Sequence, residues 1–354
     1  MKAKYTAAAV FFIIILCLSS AFAEDYTYID GENIYNTTVE EISGGKIFLN
    51  PSELIQEGVN SLFKEIRESR AEMINLLVIA ALSAVLQILK TTGEEKEVSE
   101  TAFFACFTLM TVSALKIFSV TVGYGMSIVT QTCEFVTKLS PVFAALIVSG
   151  GGTVSAAAFR PVLSAAVYVM TLLVENCIVP MIYSSAVLGI VGHITERLKI
   201  SALTNLIRSA AKWLLMASLT VFTGVTAIYG FSAPAFDQVA VKGIKFAVGS
   251  FVPVVGGILS ETVETVLSGT HLMKNAVGTA GIISLAACCA IPIIKIFAIY
   301  LMLRISAAAA EPVTDKRISD MLGEIAASVS LVLAMVITAS VLFIICIAII
   351  LGAT

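Results

Sequence analysis

Charge is scarce in this chain. Asp, Glu, Lys and Arg make up 13% of its 354 residues, about half of what a soluble globular protein carries, while 58% belong to the hydrophobic set. A water-facing surface cannot be covered with so few polar groups, which excludes a soluble protein. The formal net charge is −3 and no basic stripe runs through the chain, so nucleic acid is excluded as a partner and the apolar composition excludes disorder. Histidine occurs at His193 and His271 alone. Neither H-E-x-x-H nor G-x-S-x-G is present, so zinc-peptidase and serine-hydrolase chemistry have no anchor. Gly150-Gly151-Gly152-Thr153 lacks the Gly-Lys-Ser/Thr ending of a phosphate loop. The seven cysteines show no C-x-x-C spacing. Beyond Cys17 they lie in apolar runs and read as small core residues. No enzyme, metal site or cofactor is expected.

What is present is hydrophobic length. Lys2 and Lys4 precede an apolar run over 7–18, closed by Ser19-Ser20-Ala21-Phe22-Ala23, the pattern of a secretory signal peptide (residues 1–23) cleaved after Ala23. An uncleaved anchor is the alternative, and both start the chain from Glu24 outside the cytoplasm. Residues 24–72 hold eleven acids and four bases, a net of 4 − 11 = −7. They form an acidic extracytoplasmic segment in which Asn50-Pro51 opens an amphipathic helix carrying Leu54, Ile55, Val59, Leu62, Phe63 and Ile66.

Residues 73–354 read as an all-α, polytopic membrane domain. A crossing helix needs about 20 apolar residues, and six stretches qualify: 73–90, 102–122, 162–192, 212–231, 276–304 and 325–351. Two others are interrupted. Residues 139–159 contain Pro141, Gly150, Gly151 and Gly152; residues 246–268 contain Gly249, Pro253, Gly256 and Gly257. Broken backbone at membrane depth is tolerated only where protein or water shelters its polar groups, so both are expected as re-entrant or discontinuous segments.

Pro141 and Pro253, and likewise Pro180 and Pro292, stand 112 residues apart (253 − 141, 292 − 180). After a four-residue insertion, Leu206, Ala210, Ala211 and Leu215 meet Leu322, Ala326, Ala327 and Leu331 at an offset of 116. A tandem repeat over about 139–231 and 246–351 is expected from these pairs. Arg197, Lys199, Arg208 and Lys212 follow the first unit's long helix; Arg304, Lys316 and Arg317 follow the second's. The positive-inside rule puts both basic turns in the cytoplasm.

An ionisable group inside a membrane faces protein or an aqueous path. Glu175 and Lys295 are the deepest candidates, whereas Lys116 has a stem long enough to reach the headgroups. Pro180 and Pro292 each remove a backbone bond and kink their helices. Together with Pro141, Gly150, Gly151, Gly152, Gly249, Pro253, Gly256 and Gly257, these residues are the pore-lining or structural candidates.

The run Ala247-Val248-Gly249-Ser250-Phe251-Val252-Pro253-Val254-Val255-Gly256-Gly257-Ile258-Leu259-Ser260, with Lys274-Asn275-Ala276-Val277-Gly278 and Ile291-Pro292-Ile293-Ile294-Lys295, resembles the stage III sporulation protein AE family. Leu139-Ser140-Pro141-Val142 and the basic turn at 197–212 resemble it too. The resemblance implies a multi-pass subunit in the mother-cell membrane that surrounds the forespore. Its partners would be other stage III sporulation proteins and a forespore membrane protein, joined in a channel or secretion-like conduit. It implies no catalytic residue. From the residues alone, an autonomous secondary transporter with a midplane substrate site is the alternative.

Overall fold

The computed structural model describes residues 74, 78–80, 82, 96–149, 151–194, 200–251, 256–312 and 314–353. The leader, the acidic segment, most of the expected span 73–90, Gly150 and Pro253 lie outside the described residues. All regular structure among them is helical: α1 (Lys96–Ser149), α2 (Thr153–Leu173), α3 (Val179–Ile194), α4 (Ser201–Phe251), α5 (Gly256–Ala310) and α6 (Lys316–Ala353). A π-helical turn, Val174–Ile178, joins α2 to α3 without leaving right-handed helical geometry.

Among the described residues five helices are long and apolar enough to cross a membrane: Phe104–Ser149, Thr153–His193, Ser201–Gly230, Gly278–Ala310 and Lys316–Ile349. They overlap the five later spans read from the sequence, but three begin earlier than read (153 against 162, 201 against 212, 316 against 325) and the first ends much later. The first does not stop near residue 122 but runs on through Pro141 to Ser149. Pro141 withholds only its own N–H from the ladder and sits on an exposed face, so the helix passes through it.

The break in 139–159 comes at the glycines, as a corner between two antiparallel helices. Gly151 has φ 84°, and its N–H donates to the Val148 carbonyl while that of Gly152 donates to the Ile147 carbonyl, both at 2.9 Å. This pair of bonds closes a helix through one left-handed residue, a position that glycine alone occupies without strain. The Gly152 carbonyl then accepts Ala156 N–H at 2.9 Å, and α2 begins. In the second glycine-rich stretch, Gly249 lies in the last turn of α4, and Gly256 and Gly257 open α5.

Contacts near the helix ends set the topology. Early α4 meets early α6 at Arg208 and Glu324, late α3 packs there through Gly189, and Ser319 of α6 donates to the Ala307 carbonyl of late α5. The α3–α4 and α5–α6 turns therefore share one end of the bundle, which also holds Thr111 of early α1 against Met321. The α1–α2 corner lies at the opposite end, with late α4.

Helix α6 is central, touching α1, α3, α4 and α5. Half of its most apolar window is buried, against 22% for α4, which lies at the edge. Between helices the packing relies on glycine and aromatic rings. A Cβ placed on Gly125 of α1 would stand 2.5 Å from Val332 Cγ1 of α6, and one on Gly281 of α5 would stand 2.5 Å from the Phe143 ring. The missing side chains let these helices approach closely, the usual means of association where lipid supplies no hydrophobic drive. Phe143 meets Phe159 across the corner, and Phe118 meets Tyr183, both edge to face. Buried hydroxyls such as Thr121 and Ser340 donate to carbonyls four residues earlier in their own helices, at 2.7 and 2.8 Å. Those hydroxyl protons are satisfied within their own helices, whereas buried Ser306 Oγ has no hydrogen-bond partner among the described residues.

Candidate functional site

Three places combine polar chemistry with a defined geometry. The first is the α3–α4–α6 junction. Arg208 is 9% exposed, and its Nη2 lies 2.6 Å from Glu324 Oε2. The same nitrogen donates to the Glu324 backbone carbonyl at 2.9 Å and to Ser328 Oγ at 3.3 Å. Ser185 Oγ of α3 lies 3.1 Å from Ser328 Oγ. Gly189 leaves the room this needs, since a Cβ there would come within 3.0 Å of Glu324 Oε2. A buried charge survives only when matched by charge and hydrogen bonds; here both come from a helix 116 residues away. That separation equals the offset of the repeat expected from the sequence.

The second place is the α1–α2 corner. A new helix has backbone N–H groups without internal acceptors, and Gly152 at the cap position has no side chain to supply one. Asp237 of α4 supplies it from a distance. Its Oδ1 accepts Val154 N–H at 2.8 Å, and its Oδ2 accepts both the Ser155 N–H, at 3.0 Å, and the Ser155 hydroxyl. The carboxylate is 7% exposed, and the positive end of the α2 dipole adds to its stabilisation.

The third is the π-helical turn. Glu175, Asn176 and Cys177 are all exposed there, followed by exposed Pro180. Asn176 Nδ2 donates to the Leu172 carbonyl at 3.1 Å. Glu175 makes no hydrogen bond or ion pair among the described residues. An inserted residue of this kind is often kept at functional positions.

The sequence-derived candidates do not gather at one point. Glu175 and Pro180 lie on the outer face of α2–α3. Lys295 is half buried between α5 and α1, with Nζ 5.1 Å from the centre of the Tyr124 ring. Pro292 is buried within α5, Pro141 is exposed on α1, and Gly151 and Gly152 build the corner. Sequence reasoning missed Asp237, Glu324, Ser185 and Ser328. The partners of Asp237 and Glu324 lie on helices distant along the chain, so nothing in their own neighbourhoods marks them. The offset of 116 was the one signal linking Glu324 to Arg208. Among the described residues no three His, Cys, Asp or Glu side chains come together as metal ligands.

Comparison with known proteins adds the family. A protein of Bacillus subtilis (strain 168) named stage III sporulation protein AE is 31% identical over 312 residues, covering 88% of this chain and 78% of its own length. No solved structure matches. The family profile described as stage III sporulation protein AE matches residues 34–354, and with five long apolar helices beneath that match the chain belongs to the stage III sporulation protein AE family.

Proposed function

We propose that this protein is a multi-pass subunit of a sporulation complex in the mother-cell membrane around the forespore. Its basic turns face the mother-cell cytoplasm, and its α1–α2 corner projects toward the forespore. What supports this reading, beside family membership, is length. From Gly189 beside the ion pair to Gly151 at the corner is 189 − 151 = 38 residues, about 57 Å of helix against about 30 Å of hydrocarbon. Some 25 Å of bundle is left to stand beyond the bilayer, and the positive-inside rule sends the opposite end inward. Projecting helices also account for the polar far ends of α4 and α5, with Asp237, Lys242, Lys245, Glu261, Glu264 and Lys274. A rigid tower in the intermembrane space is a docking element for other stage III proteins and a forespore membrane partner, within a channel or secretion-like conduit.

Cysteines introduced at Ser149 and Ser201, both exposed, test the orientation in intact cells. A membrane-impermeant thiol reagent should label S149C and spare S201C. Labelling of S201C from outside overturns the reading. A solute transporter is the competing reading, favoured by the helix irregularity at Glu175 and Pro180. It requires the purified chain to bind a solute or ion and to lose that binding on Glu175→Gln or Lys295→Met.

A further inference from the structure

The outer end of α1 changes character along one face. Glu134, Lys138, Pro141, Val142, Ala145 and Val148 are all exposed, and steps of three and four residues keep them on one side of the helix. Toward the corner this face reads acid, base, then four apolar side chains, with Val142 and Val148 40% and 49% open. Pro141 stands ten residues before Gly151 (151 − 141) and Glu134 seventeen (151 − 134), about 15 and 25 Å along the helix. The apolar part thus lies wholly in the length of bundle that stands beyond the bilayer, and the acid marks where that length begins. An apolar face standing in water is a contact surface.

The chain carries an occupant for it. Residues 24–72 lie outside the described residues and read from the sequence as an extracytoplasmic segment, ending where the expected span 73–90 enters the bilayer from the outer side. As a helix, the last 22 of them, 51–72, reach about 33 Å, enough to climb the 25 Å or so from the bilayer to the corner. Climbing outward, the segment presents a base, Arg70, then an acid, Glu65, then apolar Leu62, Val59 and Ile55. The order is that of the α1 face with both signs reversed. The spacing agrees as well, 70 − 55 = 15 residues on the segment against 148 − 134 = 14 on α1. Glu53, Glu57, Lys64 and Glu68 fall on the opposite side of an ideal helix from Ile55, Val59 and Leu62, where water remains.

We propose that residues 51–72 pack antiparallel along the outer end of α1, with Ile55, Val59 and Leu62 covering Val148, Ala145, Val142 and Pro141, Glu65 against Lys138, and Arg70 against Glu134. The acidic segment is then a wall of the projecting tower and not a free tether, and it delivers the residues before Asn50 to the corner. The apolar contact holds the segment. The two charge pairs, being open to water, add little energy, but their opposite signs set the register, since a slip of one helical turn brings like charges together. The inference rests on the orientation proposed above and not on the identity of the sporulation partners.

Cysteine pairs in the full membrane-embedded chain test this, with Cys17, Cys177 and Cys288 replaced by Ser; Cys106, Cys133, Cys289 and Cys346 are buried. Under copper phenanthroline, Ile55→Cys with Val148→Cys should link within one chain, whereas Glu57→Cys with Val148→Cys, from the far side of the segment, should not. Glu65→Lys should lower the yield of the first link about threefold, as expected for an exposed charge pair, and Lys138→Glu in the same chain should restore it. A second measurement needs no disulfide: Val148→Cys alone should react with a membrane-impermeant maleimide about tenfold faster once Ile55→Asp sets a carboxylate in the apolar contact. Equal links from residues 55 and 57, a link between two chains instead of within one, or a residue 148 thiol that Ile55→Asp leaves unchanged overturns the proposal. If S149C and S201C label as expected in that case, the packing fails and the membrane-subunit reading stands; labelling of S201C from outside overturns both.

Discussion

Each end of the bundle is tied by one acid that reaches across from a helix distant in sequence, yet the two acids answer different needs. Glu324 balances a side chain, the guanidinium of Arg208. Asp237 balances backbone, the N–H groups of Val154 and Ser155 at the start of α2. An ion pair can be removed as a pair and replaced by apolar side chains, whereas the N–H groups of a helix start persist whatever side chains surround them. The basic end is thus held by an exchangeable contact and the corner by an obligatory one.

The largest effect should come from breaking the pair on one side. Arg208→Met leaves the Glu324 carboxylate uncompensated, and a loss of about 3 kcal/mol is expected, at the low end for a buried pair because Glu324 is partly open. Arg208→Met with Glu324→Met should recover most of it, as read by thermal unfolding of the detergent-purified chain. If the double variant is no better than the single, the exchangeable character assigned to this end is wrong.

At the corner, Asp237→Ala should cost about 2 kcal/mol by orphaning two buried donors, and Asp237→Asn, which keeps one acceptor, about half of that. No change at Ser155 should rescue Asp237→Ala; a rescue would make the tie a side-chain one and erase the contrast. Between the two ends, Gly125→Ala pushes a methyl into Val332 and should cost about 1 to 2 kcal/mol by overpacking. Val332→Ala in the same chain should return part of it, through a coupling read by a double-mutant cycle. The smallest effect, and one of opposite sign, is expected at Gly224, where a Cβ meets nothing within 4 Å. Gly224→Ala should stabilise the helix by about 0.5 to 1 kcal/mol, seen as a small rise in unfolding temperature.

The helices were largely legible, because apolar runs of this length have one stable form in a bilayer. Where the reading and the structure part, the cause is local. The reading ended the first span at residue 122 and placed Pro141 in a separate interrupted stretch, but a proline gives up one hydrogen bond and α1 continues past it to Ser149. The break waits for Gly151, where the chain needs a positive φ. The glycines were singled out as a place where the backbone is not a plain helix; that they turn a corner between two long helices depended on which carbonyls Gly151 and Gly152 could reach.

The candidate site was legible in part. Glu175 stood out in the sequence as a charge inside an apolar run, since the cost of placing it in lipid is a property of the residue and its neighbours along the chain. Its place on the outer face, in a π-turn and without an ion pair or hydrogen bond among the described residues, came only with the fold, because which face of a helix stays uncovered depends on the packing of its neighbours. Asp237 was invisible for the same kind of reason, its partners lying 82 and 83 residues away.

Hydrophobic length, the sign of the turns and the positions of glycine and proline were determined by the amino-acid sequence, because each acts over one helix or less. Which helix lies at the centre and which charges are paired were decided by tertiary structure. Those outcomes depend on groups brought together from 80 to 120 residues apart, where the spacing along the chain carries no energy of its own and only the packing of the helices determines who meets whom.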